Sequence, residues 1–538
     1  MGVKEWGLSF FKKHGKQEDI QEIEEILIKE ARHISSTGRH LFSIPFDGEK
    51  NLGEIGPVKE YLLDYDRLRL RSWQSYLESE ITQTVIGKFT KWVIGSGLKL
   101  QSEPNKRILQ DEGVNIDSIG DFTKSVEARY NQWAKSKTAD YSGMQSLNEI
   151  EKAVFLNAKI GGDCLVVLRT VKGRVKVQIV DGCHIRHNLL SSDYYPLKLD
   201  NGNYVCNGIE FNSTGQHVAY WVLEDSLKPA KRVKARNSNG TVQAFLVYGR
   251  KYRLDNHRGM PLIAVVLETL KKLERYKEAT VGSAEERQKI AFQIVHGVTS
   301  TGESPLSKQM AKAFDFSDES ENLPADIAGN ELANNIAATT NKQTYNMPID
   351  SELKQLESKN ELHFKDFYSV NIDIVCACLG IPPEVAMSKY DSNFSASRAA
   401  LKDWEHTLLV ERNEFKDGFM QYVYDYWFEI QVNTFKIKPR GYNLLDIDGK
   451  ESYRNARFIG ANVPHIDPEK EVRAERAKLG TLSEHLPLTT QEAATEALNG
   501  GDSVQNTMNF SKELEEAKMV GLEAVQMNIP NNKPKDEE

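Results

Sequence analysis

Two short stretches of the sequence carry side chains that could bind a metal ion. Cys183, His184 and His187 lie together in DGCHIRH, and Asp446 and Asp448 occur in LLDIDGK. Thiolate, imidazole and carboxylate groups are common metal ligands, and a nucleic-acid-processing enzyme could use such a metal. A metal centre needs more ligands and supporting hydrogen bonds than these stretches supply. We therefore interpret DGCHIRH as a strand end and LLDIDGK as a strand–turn, and we predict no metal, no cofactor and no catalytic residue.

Cysteine usage favours a structural role for the thiols. The five cysteines are odd in number, and their spacing fits neither a disulfide framework nor a zinc site: Cys164, Cys183, Cys206, Cys376 and Cys378. We interpret all five as small buried apolar side chains, with Cys376 and Cys378 facing different ways on a helix. The sequence signatures of phosphate-binding loops, nucleophile elbows, zinc proteases and kinases are absent.

The stretch SKYDSNFSASR (388–398) is the third candidate site. It combines aromatic and small polar side chains with two cations, Lys389 and Arg398, and it joins two predicted helices. A loop of this composition on rigid supports suits a moving contact to a phosphate backbone. Its composition fits an ordinary helix connector equally well.

Apolar residues spaced three and four apart predict that most of the chain is helical. The predicted helices span 18–34, 61–94, 118–136, 146–162, 261 to about 296, 351–380 and 397–430, with charged helices after 466. We place Leu70, Trp73, Leu77, Ile81 and Val85 on the apolar face of the second helix. Phe364, Phe367, Val370, Ile374 and Ala377 form that of the 351–380 helix. The helix from 261 has no large apolar stripe after Tyr276, which favours solvation or packing against other copies of itself.

Apart from the strand–turn at LLDIDGK, the predicted strands lie between residues 163 and 249. Alternating apolar residues indicate a hairpin of 163–171 and 174–181, a second hairpin of 203–211 and 216–225, and a last strand at 242–249. Short strands set between helices predict an α+β fold with small antiparallel sheets.

Composition excludes several classes of protein. The chain has 538 residues and a net charge of −8, and 40% of its residues are hydrophobic, which is globular and allows three or four structural units. No apolar run approaches the length of a membrane span, and the N-terminus lacks the apolar region of a signal peptide, so we expect a cytosolic protein. The acidic balance argues against nonspecific DNA binding but suits a protein that DNA slides past.

Several longer stretches carry a recognisable series of motifs. They are DRLRLRSWQSYLESEITQTVIGKFTKWVIGSGLKLQ, YNQWAKSKTADYSGMQSLNEIEKAVFLNAKIGGDCLVVL, NGIEFNSTGQHVAYWV, RGMPLIAVVLETLKKLERYKEA, LGIPPEVAMSKYDSNFSASRAALKDWEH and HIDPEKEVRAERAKLGTLSEH. In this order, over about residues 61 to 485, the chain resembles the lambda-like family of tailed-bacteriophage portal proteins.

The resemblance implies a mainly helical, ring-forming portal fold. Mapped onto this sequence, it implies an N-terminal arm (1–60), wing (61–258), stem helix (259–297), clip (298–350), second stem helix (351–380), tunnel loop (381–397), wing return helix (398–465) and crown (466–525). Composition adds a disordered tail at 526–538.

The resemblance also implies a function. Portals are dodecameric rings at one capsid vertex, through which a terminase motor packages genomic DNA that is later ejected. The implied partners are other copies of the chain, the terminase large subunit, the major capsid protein and scaffold, neck and head-completion proteins, and double-stranded DNA, but no membrane. The implied location is the virion, with the host cytoplasm during assembly.

The site residues follow from the same resemblance. It implies that the tunnel-loop residues Lys389, Tyr390, Asn393, Phe394 and Arg398 face DNA. It implies that clip residues dock terminase and neck proteins, and we select Lys308, Lys312, Asp315, Asp318 and Glu319. Two other hypotheses remain open: a metal-dependent nucleic-acid-processing enzyme, and a head scaffold or adaptor without a channel.

Overall fold

The computed structural model describes most of the chain between residues 65 and 519. The described residues are 65–116, 119–187, 197–224, 228–251, 256–294, 343–346, 364–389, 394–460, 468–479, 487–499, 501 and 503–519. The predicted N-terminal arm, the predicted tail and all of the predicted clip except 343–346 lie outside these ranges. The chain divides into two units, one comprising Met1–Leu267 with Cys376–Glu538 and the other Glu268–Val375.

Helices account for most of the described residues. They are α1 (Tyr65–Glu78), α2 (Glu80–Val93), α3 (Lys106–Asp111), α4 (Ile119–Lys135), α5 (Leu147–Gly161), α6 (Leu267–Lys289), α7 (Phe364–Leu379), α8 (Pro383–Met387), α9 (Phe394–Phe415), α10 (Gln421–Asn433), α11 (Ile447–Arg454), α12 (Pro468–Leu479), α13 (Gln491–Asn499) and α14 (Ser503–Met519). A π-helical turn, Lys416–Met420, joins α9 to α10 without a break. Within the described ranges, no helix combines the length and apolarity needed to cross a membrane.

The strands form small sheets. They are β1 (Lys99–Ser102), β2 (Asp163–Val171), β3 (Arg174–Asp181), β4 (Leu197–Lys198), β5 (Tyr204–Cys206), β6 (Ile209–Phe211), β7 (His217–Val222), β8 (Lys231–Lys234), β9 (Ala244–Tyr248), β10 (Ile290–Ile294), β11 (Gln343–Asn346) and β12 (Ala456–Ile459). One sheet has the order β3–β2–β9 and another β4–β5–β6–β7–β8, both antiparallel. β1 pairs antiparallel with β12, whereas β10 and β11 pair in parallel. The mixed helix-and-sheet prediction is confirmed.

The two larger sheets share one hydrophobic core. Leu165 and Leu246 from the three-stranded sheet are buried in the same cluster as Ile209, Phe211 and Tyr220 from the five-stranded sheet. The first six residues of β2 and the first four of β9 are buried, whereas most residues of β3 are only partly buried.

The hairpin predictions are confirmed in part. The first hairpin has the predicted strands, with its turn at Lys172 and Gly173. The strand predicted at 203–211 is wrong, because Asn207 (φ 50°) and Gly208 (φ 75°) turn the chain between β5 and β6. An Asn-Gly pair with both residues at positive φ is the preferred two-residue hairpin turn.

The helix predicted at 61–94 is instead two helices. Ser79 has an extended backbone and separates α1 from α2. Ile81 and Val85 of α2 are buried as predicted, but Leu70 and Leu77 of α1 are 68% and 70% exposed. The buried residues of α1, Arg69 and Ser72, are polar and form hydrogen bonds with residues distant in the sequence. The spacing of apolar residues therefore could not identify the inner face of this helix.

The helix predicted from 261 to about 296 is shorter. It starts with a 3-10 turn (Leu262–Val265), continues as α6, and is replaced by strand β10 after Lys289. The apolar and aromatic run at Ile290–Ile294 pairs with Gln343–Asn346, and this pairing overrides the helical pattern.

The apolar face predicted for α7 is present but is largely exposed. Phe367, Val370 and Ile374 are 42%, 55% and 50% exposed, respectively. The buried side chains of this helix are instead Ile372, Val375, Cys376 and Leu379. The helix is therefore apolar on two faces, only one of which the described chain covers.

The N-terminal bounds of other helices were predicted well. The helix predicted at 146–162 is α5: Ser146 and Glu149 form a capping box at its start, and Gly162 (φ 95°) ends it. The long helix predicted from about 397 starts earlier, at Phe394, and with the π-helical turn reaches Asn433.

Candidate functional site

The third candidate site begins where α7 ends. The N–H groups of Gly380 and Ile381 donate to the carbonyls of Ala377 and Cys376, closing the helix. Gly380 adopts a positive φ of 73°, which suits a residue without a Cβ. Pro382 and Pro383 then start the short helix α8. The predicted tunnel loop, 381–397, thus contains α8 and the first turn of α9.

The end of α8 has a specific backbone geometry. Ser388 is left-handed (φ 55°), and its N–H donates to the carbonyl of Val385. The next N–H, of Lys389, donates to the carbonyl of Glu384. These two bonds form the Schellman arrangement that ends a helix. The Ser388 hydroxyl also accepts a hydrogen bond of 2.7 Å from Lys88 Nζ on α2.

The second support of the loop, α9, is fixed to α2. Phe89 and Trp404, both fully buried, meet edge to face with ring centroids 5.0 Å apart. The Arg412 guanidinium donates to the backbone carbonyls of Trp92 and Val93. α2 therefore contacts both flanks of the loop, Ser388 at the end of α8 and Trp404 of α9.

The structure describes both predicted cations of this loop but not all of the other predicted site residues. The side chains of Lys389 and Arg398 are exposed, and Arg398 is 3.7 Å from the Glu471 carboxylate on α12. Phe394 begins α9, while Tyr390 and Asn393 lie outside the described residues. Lys88, a half-buried cation at the loop base, was not predicted because 300 residues separate it from Ser388.

The clip residues selected from the sequence fall outside the described part of the chain. These are Lys308, Lys312, Asp315, Asp318 and Glu319. Their docking role stays a prediction.

The DGCHIRH stretch is a strand end, as interpreted. A 3-10 turn, Gly182–His184, follows β3, and His184 Nδ1 lies 3.1 Å from the carbonyl of Leu223. Burial raises the pKa of the Cys183 thiol to about 11, opposite to what a reactive or metal-binding thiol requires. In the described ranges, no three His, Cys, Asp or Glu side chains come together as metal ligands.

The strand–turn interpretation of LLDIDGK is wrong. Asp446 is the N-cap of α11, and its carboxylate accepts a hydrogen bond of 2.8 Å from the Gly449 N–H. This bond, with a contribution from Glu112, lowers the pKa of Asp446. An aspartate at a helix N-terminus is a structural cap.

The cysteine interpretation is confirmed for three of the five residues. Cys164, Cys206 and Cys376 are buried, Cys183 is half-buried and Cys378 is exposed. All five lie in described ranges, and none forms a disulfide. Cys376 and Cys378 face different ways, as predicted.

A buried ionic junction joins three of the quoted motifs. Asp163, from the GGD turn, accepts two hydrogen bonds, 2.6 and 2.7 Å, from the guanidinium of Arg258 in RGMP. Arg69, from the DRLRLR helix, donates to the same carboxylate. Burial by itself would raise the pKa of Asp163, but Arg258 and Arg69 outweigh it and lower the pKa.

Arg258 also joins segments that are distant in sequence. Its guanidinium donates to the backbone carbonyls of Gly182, Ile185 and Asn207, besides the Asp163 carboxylate. The planar five-donor guanidinium suits this role, since lysine has fewer donors and a different geometry.

Backbone packing at the junction requires glycine. A Cβ on Gly259 would lie 2.0 Å from the carbonyl oxygen of Gly162, and a Cβ on Gly162 would lie 2.6 Å from that of Gly259. The two glycines therefore permit the close approach that brings the Gly259 N–H to Asp163.

A second buried ionic cluster fixes the middle of α9. The Glu411 carboxylate, 2% exposed, accepts a 2.6 Å bond from Lys159 on α5 and another bond from Arg250. Lys159 also donates to the carbonyl of Gly249. Burial lowers the pKa of Lys159, although the Glu411 carboxylate opposes this effect. The long helix is thus tied to α5 and to the segment after β9 by paired charges.

One arginine connects the C-terminal helices to the β1–β12 pair. Arg457 on β12 forms ion pairs with Glu492 (2.6 Å) and Glu496 (2.8 Å) of α13, and with Glu103 (3.1 Å). These contacts place α13 against this strand pair.

Comparison with known proteins identifies the family of this chain. The model of the lambda family of phage portal proteins matches residues 51–412. A solved structure described as the neck of a native GTA particle computed with C12 symmetry is 11% identical, covers 61% of this chain and 83% of that chain, and has a TM-score of 0.33. No curated protein matches significantly. Because the family model spans well over half of its residues, the chain belongs to the lambda family of phage portal proteins.

Proposed function

We propose that this chain is the portal subunit of a tailed phage. In this proposal twelve copies form a ring at one capsid vertex, and genomic DNA enters through the ring and later leaves through it. The chain supplies the conduit and the assembly platform, whereas the terminase motor supplies the ATP hydrolysis. The role is structural rather than catalytic, as in the portal family.

The observation that carries the proposal is the exposed apolar face of α7. Phe367, Val370 and Ile374 recur at three- and four-residue spacing, so they form one half-exposed stripe on a helix whose opposite face is buried, although the Phe367 ring also contacts Tyr276 of α6. Contiguous exposed apolar stripes mark interaction surfaces. We propose that α7 belongs to the second stem helix and that a neighbouring copy in the ring covers this stripe.

Two exposed apolar residues of α9 support the same conclusion. Leu409 and Val410 are 50% and 44% exposed, although the helix is anchored on its other side by buried Trp404 and Leu408. A monomeric protein gains nothing from placing large apolar groups in water here.

The loop between α8 and α9 supports a channel role. We propose that Lys389 and Arg398, with Tyr390, Asn393 and Phe394, face the passing duplex. Each subunit contributes few cations, and the whole chain is acidic, with a net charge of −8. A ring of such loops would centre DNA through weak, replaceable phosphate contacts, while a strongly basic wall would hold it by releasing counterions.

The remaining roles follow from membership of the family. We propose that segment 298–350 is the clip, which docks the terminase large subunit and later the neck proteins. We further propose that the outer face of the ring contacts the major capsid protein and scaffold, during assembly in the host cytoplasm and then in the virion.

Particle mass and shape test the ring directly. Purified full-length protein should form particles many times heavier than the 60.9 kDa chain, with a central hole in negative-stain projections. A protein that stays monomeric over a wide range of salt and protein concentrations would refute the ring.

A further inference from the structure

Ser388 occupies a position that normally favours glycine. It is the left-handed residue of the Schellman arrangement at the end of α8, with φ 55°. A residue with a Cβ pays a conformational cost in this region that glycine does not. We therefore expect the Ser388 side chain to make a contact that compensates for this cost.

The hydroxyl of Ser388 provides a contact that glycine cannot make. It accepts the 2.7 Å hydrogen bond from Lys88 Nζ. Hydrogen bonds with a charged donor are stronger than those between neutral groups. The contact thus offsets the backbone cost of the left-handed serine.

Lys88 extends from a rigid helix. The next residue in the sequence is Phe89, which is fully buried against Trp404 of α9. Thr90 beyond it donates back to the carbonyl of Ile86 within α2. The Lys88 side chain therefore starts from a fixed backbone position. Its hydrogen bond to Ser388 fixes the point at which the chain leaves α8.

We propose that Lys88 is the positioning residue of the loop that follows Ser388. Its bond to the Ser388 hydroxyl holds the left-handed cap in place and so sets the direction in which Lys389 leaves α8. The effect on DNA rests on the proposed portal function, whereas the effect on the loop does not.

Three variants of the full-length protein test this assignment. Lys88→Met removes the ammonium but retains a good helix former, Ser388→Ala removes the hydroxyl but retains a Cβ at the left-handed position, and the double variant removes both. Lys91→Met is the control, because Lys91 is an exposed lysine on the same helix. Thermal melting of each variant verifies the fold.

Hydrogen exchange of the Ser388 and Lys389 N–H groups reports on the cap. Each single variant should exchange about fivefold faster, which corresponds to the loss of one ordinary hydrogen bond. The double variant should exchange no faster than either single variant, and Lys91→Met should match the unchanged protein. Unchanged exchange in both single variants, or additive effects in the double variant, would overturn the proposal.

DNA packaging into procapsids separates positioning from a direct charge contact. Lys88→Met and Ser388→Ala should reduce packaging equally, and the double variant should equal each. A defect in Lys88→Met alone would overturn the proposal and identify Lys88 as a phosphate contact. Faster exchange with normal packaging would support the positioning role and count instead against the proposed DNA contact of the loop.

Discussion

Arg258 binds Asp163 through two hydrogen bonds of 2.6 and 2.7 Å, although 95 residues separate them in the sequence. Both side chains are almost fully buried. The pair joins the turn before β2 to the segment that leads into the 3-10 turn at Leu262–Val265.

We expect Arg258→Met to destabilise the protein strongly. It leaves the Asp163 carboxylate buried with fewer partners, and breaking one side of a buried ion pair typically costs about 3–5 kcal/mol. Urea unfolding measures the loss. Arg107→Met, at an exposed pair with Asp111, is the control and should change stability by less than about 1 kcal/mol. Equal losses in both variants would contradict the importance of burial.

Glu151 provides a test based on pH. It is fully buried, its Oε2 accepts a 2.9 Å bond from the Leu98 N–H, and its Oε1 has no hydrogen-bond partner within the described chain. Burial raises its pKa to about 8, with the Leu98 N–H opposing this shift.

We therefore expect Glu151→Gln to stabilise the protein at pH 8 and much less at pH 5. With the folded pKa above the unfolded value, stability falls as pH rises from the unfolded pKa of about 4.5 toward 8, and glutamine removes this penalty. Urea midpoints at the two pH values measure it. Glu149→Gln should instead destabilise the protein to a similar extent at both pH values, because hydrogen bonds from Ser146 lower the pKa of Glu149 and both pH values lie above its usual value of 4.5. A stabilisation by Glu151→Gln that is equal at both pH values would rule out the raised pKa as the cause.

The exposed stripe of α7 predicts the effect of a charge. Ile374→Lys should abolish the ring while leaving the thermal melting of the monomer unchanged, because an unpaired ammonium in an apolar interface is costly. Analytical ultracentrifugation measures the assembly. Asp373→Lys adds the same side chain at the adjacent exposed position and should leave rings intact. Rings of normal mass from Ile374→Lys would place the subunit interface elsewhere.

The cations of the loop should matter for DNA and not for assembly. Replacing Lys389 and Arg398 with alanine should leave rings that dock to procapsids but package or retain less DNA. Glu471→Gln breaks the ion pair with Arg398 while leaving both cations, so it should package normally. Loss of rings, with normal packaging in those that remain, would make the loop a structural element.

The predicted clip can be tested by deletion. Removing 303–342, which spares β11, should leave a folded protein that no longer binds the terminase large subunit. Reversing the charges of Asp315, Asp318 and Glu319 should weaken binding without changing the melting temperature. A deletion variant that binds terminase normally would move the docking surface to another part of the chain.

Sequence patterns succeeded where local interactions determine structure. The first hairpin, with its Lys172-Gly173 turn, and the helix between Ser146 and Gly162 were predicted with their correct residues, because each depends on neighbours in the chain. The Asn207-Gly208 turn carried the same kind of signal, but the apolar run around it was assigned to one strand.

Long-range contacts explain what could not be predicted. The inner face of α1 is polar because Arg69 binds Asp163 and Ser72 donates to the carbonyl of Ile160. No periodicity in α1 indicates partners roughly ninety residues away. The support of the candidate loop by Lys88 was missed for the same reason, while the composition of the loop itself was visible.

The π-helical turn at Lys416–Met420 sets the rotational phase of the long helix. One extra residue in a helix advances every later side chain by about 100° around the axis. Trp404 before the turn and Trp427 after it are both fully buried, so the turn lets one continuous rod present differently phased faces to two parts of the core. Gly418, whose Cβ position is open, is the natural place to delete a residue. The turn thus absorbs one extra residue locally: removing Gly418 should restore an ordinary α-helical turn and keep Trp427 buried, whereas removing a residue beyond the turn would rotate every later side chain of the helix by about 100°.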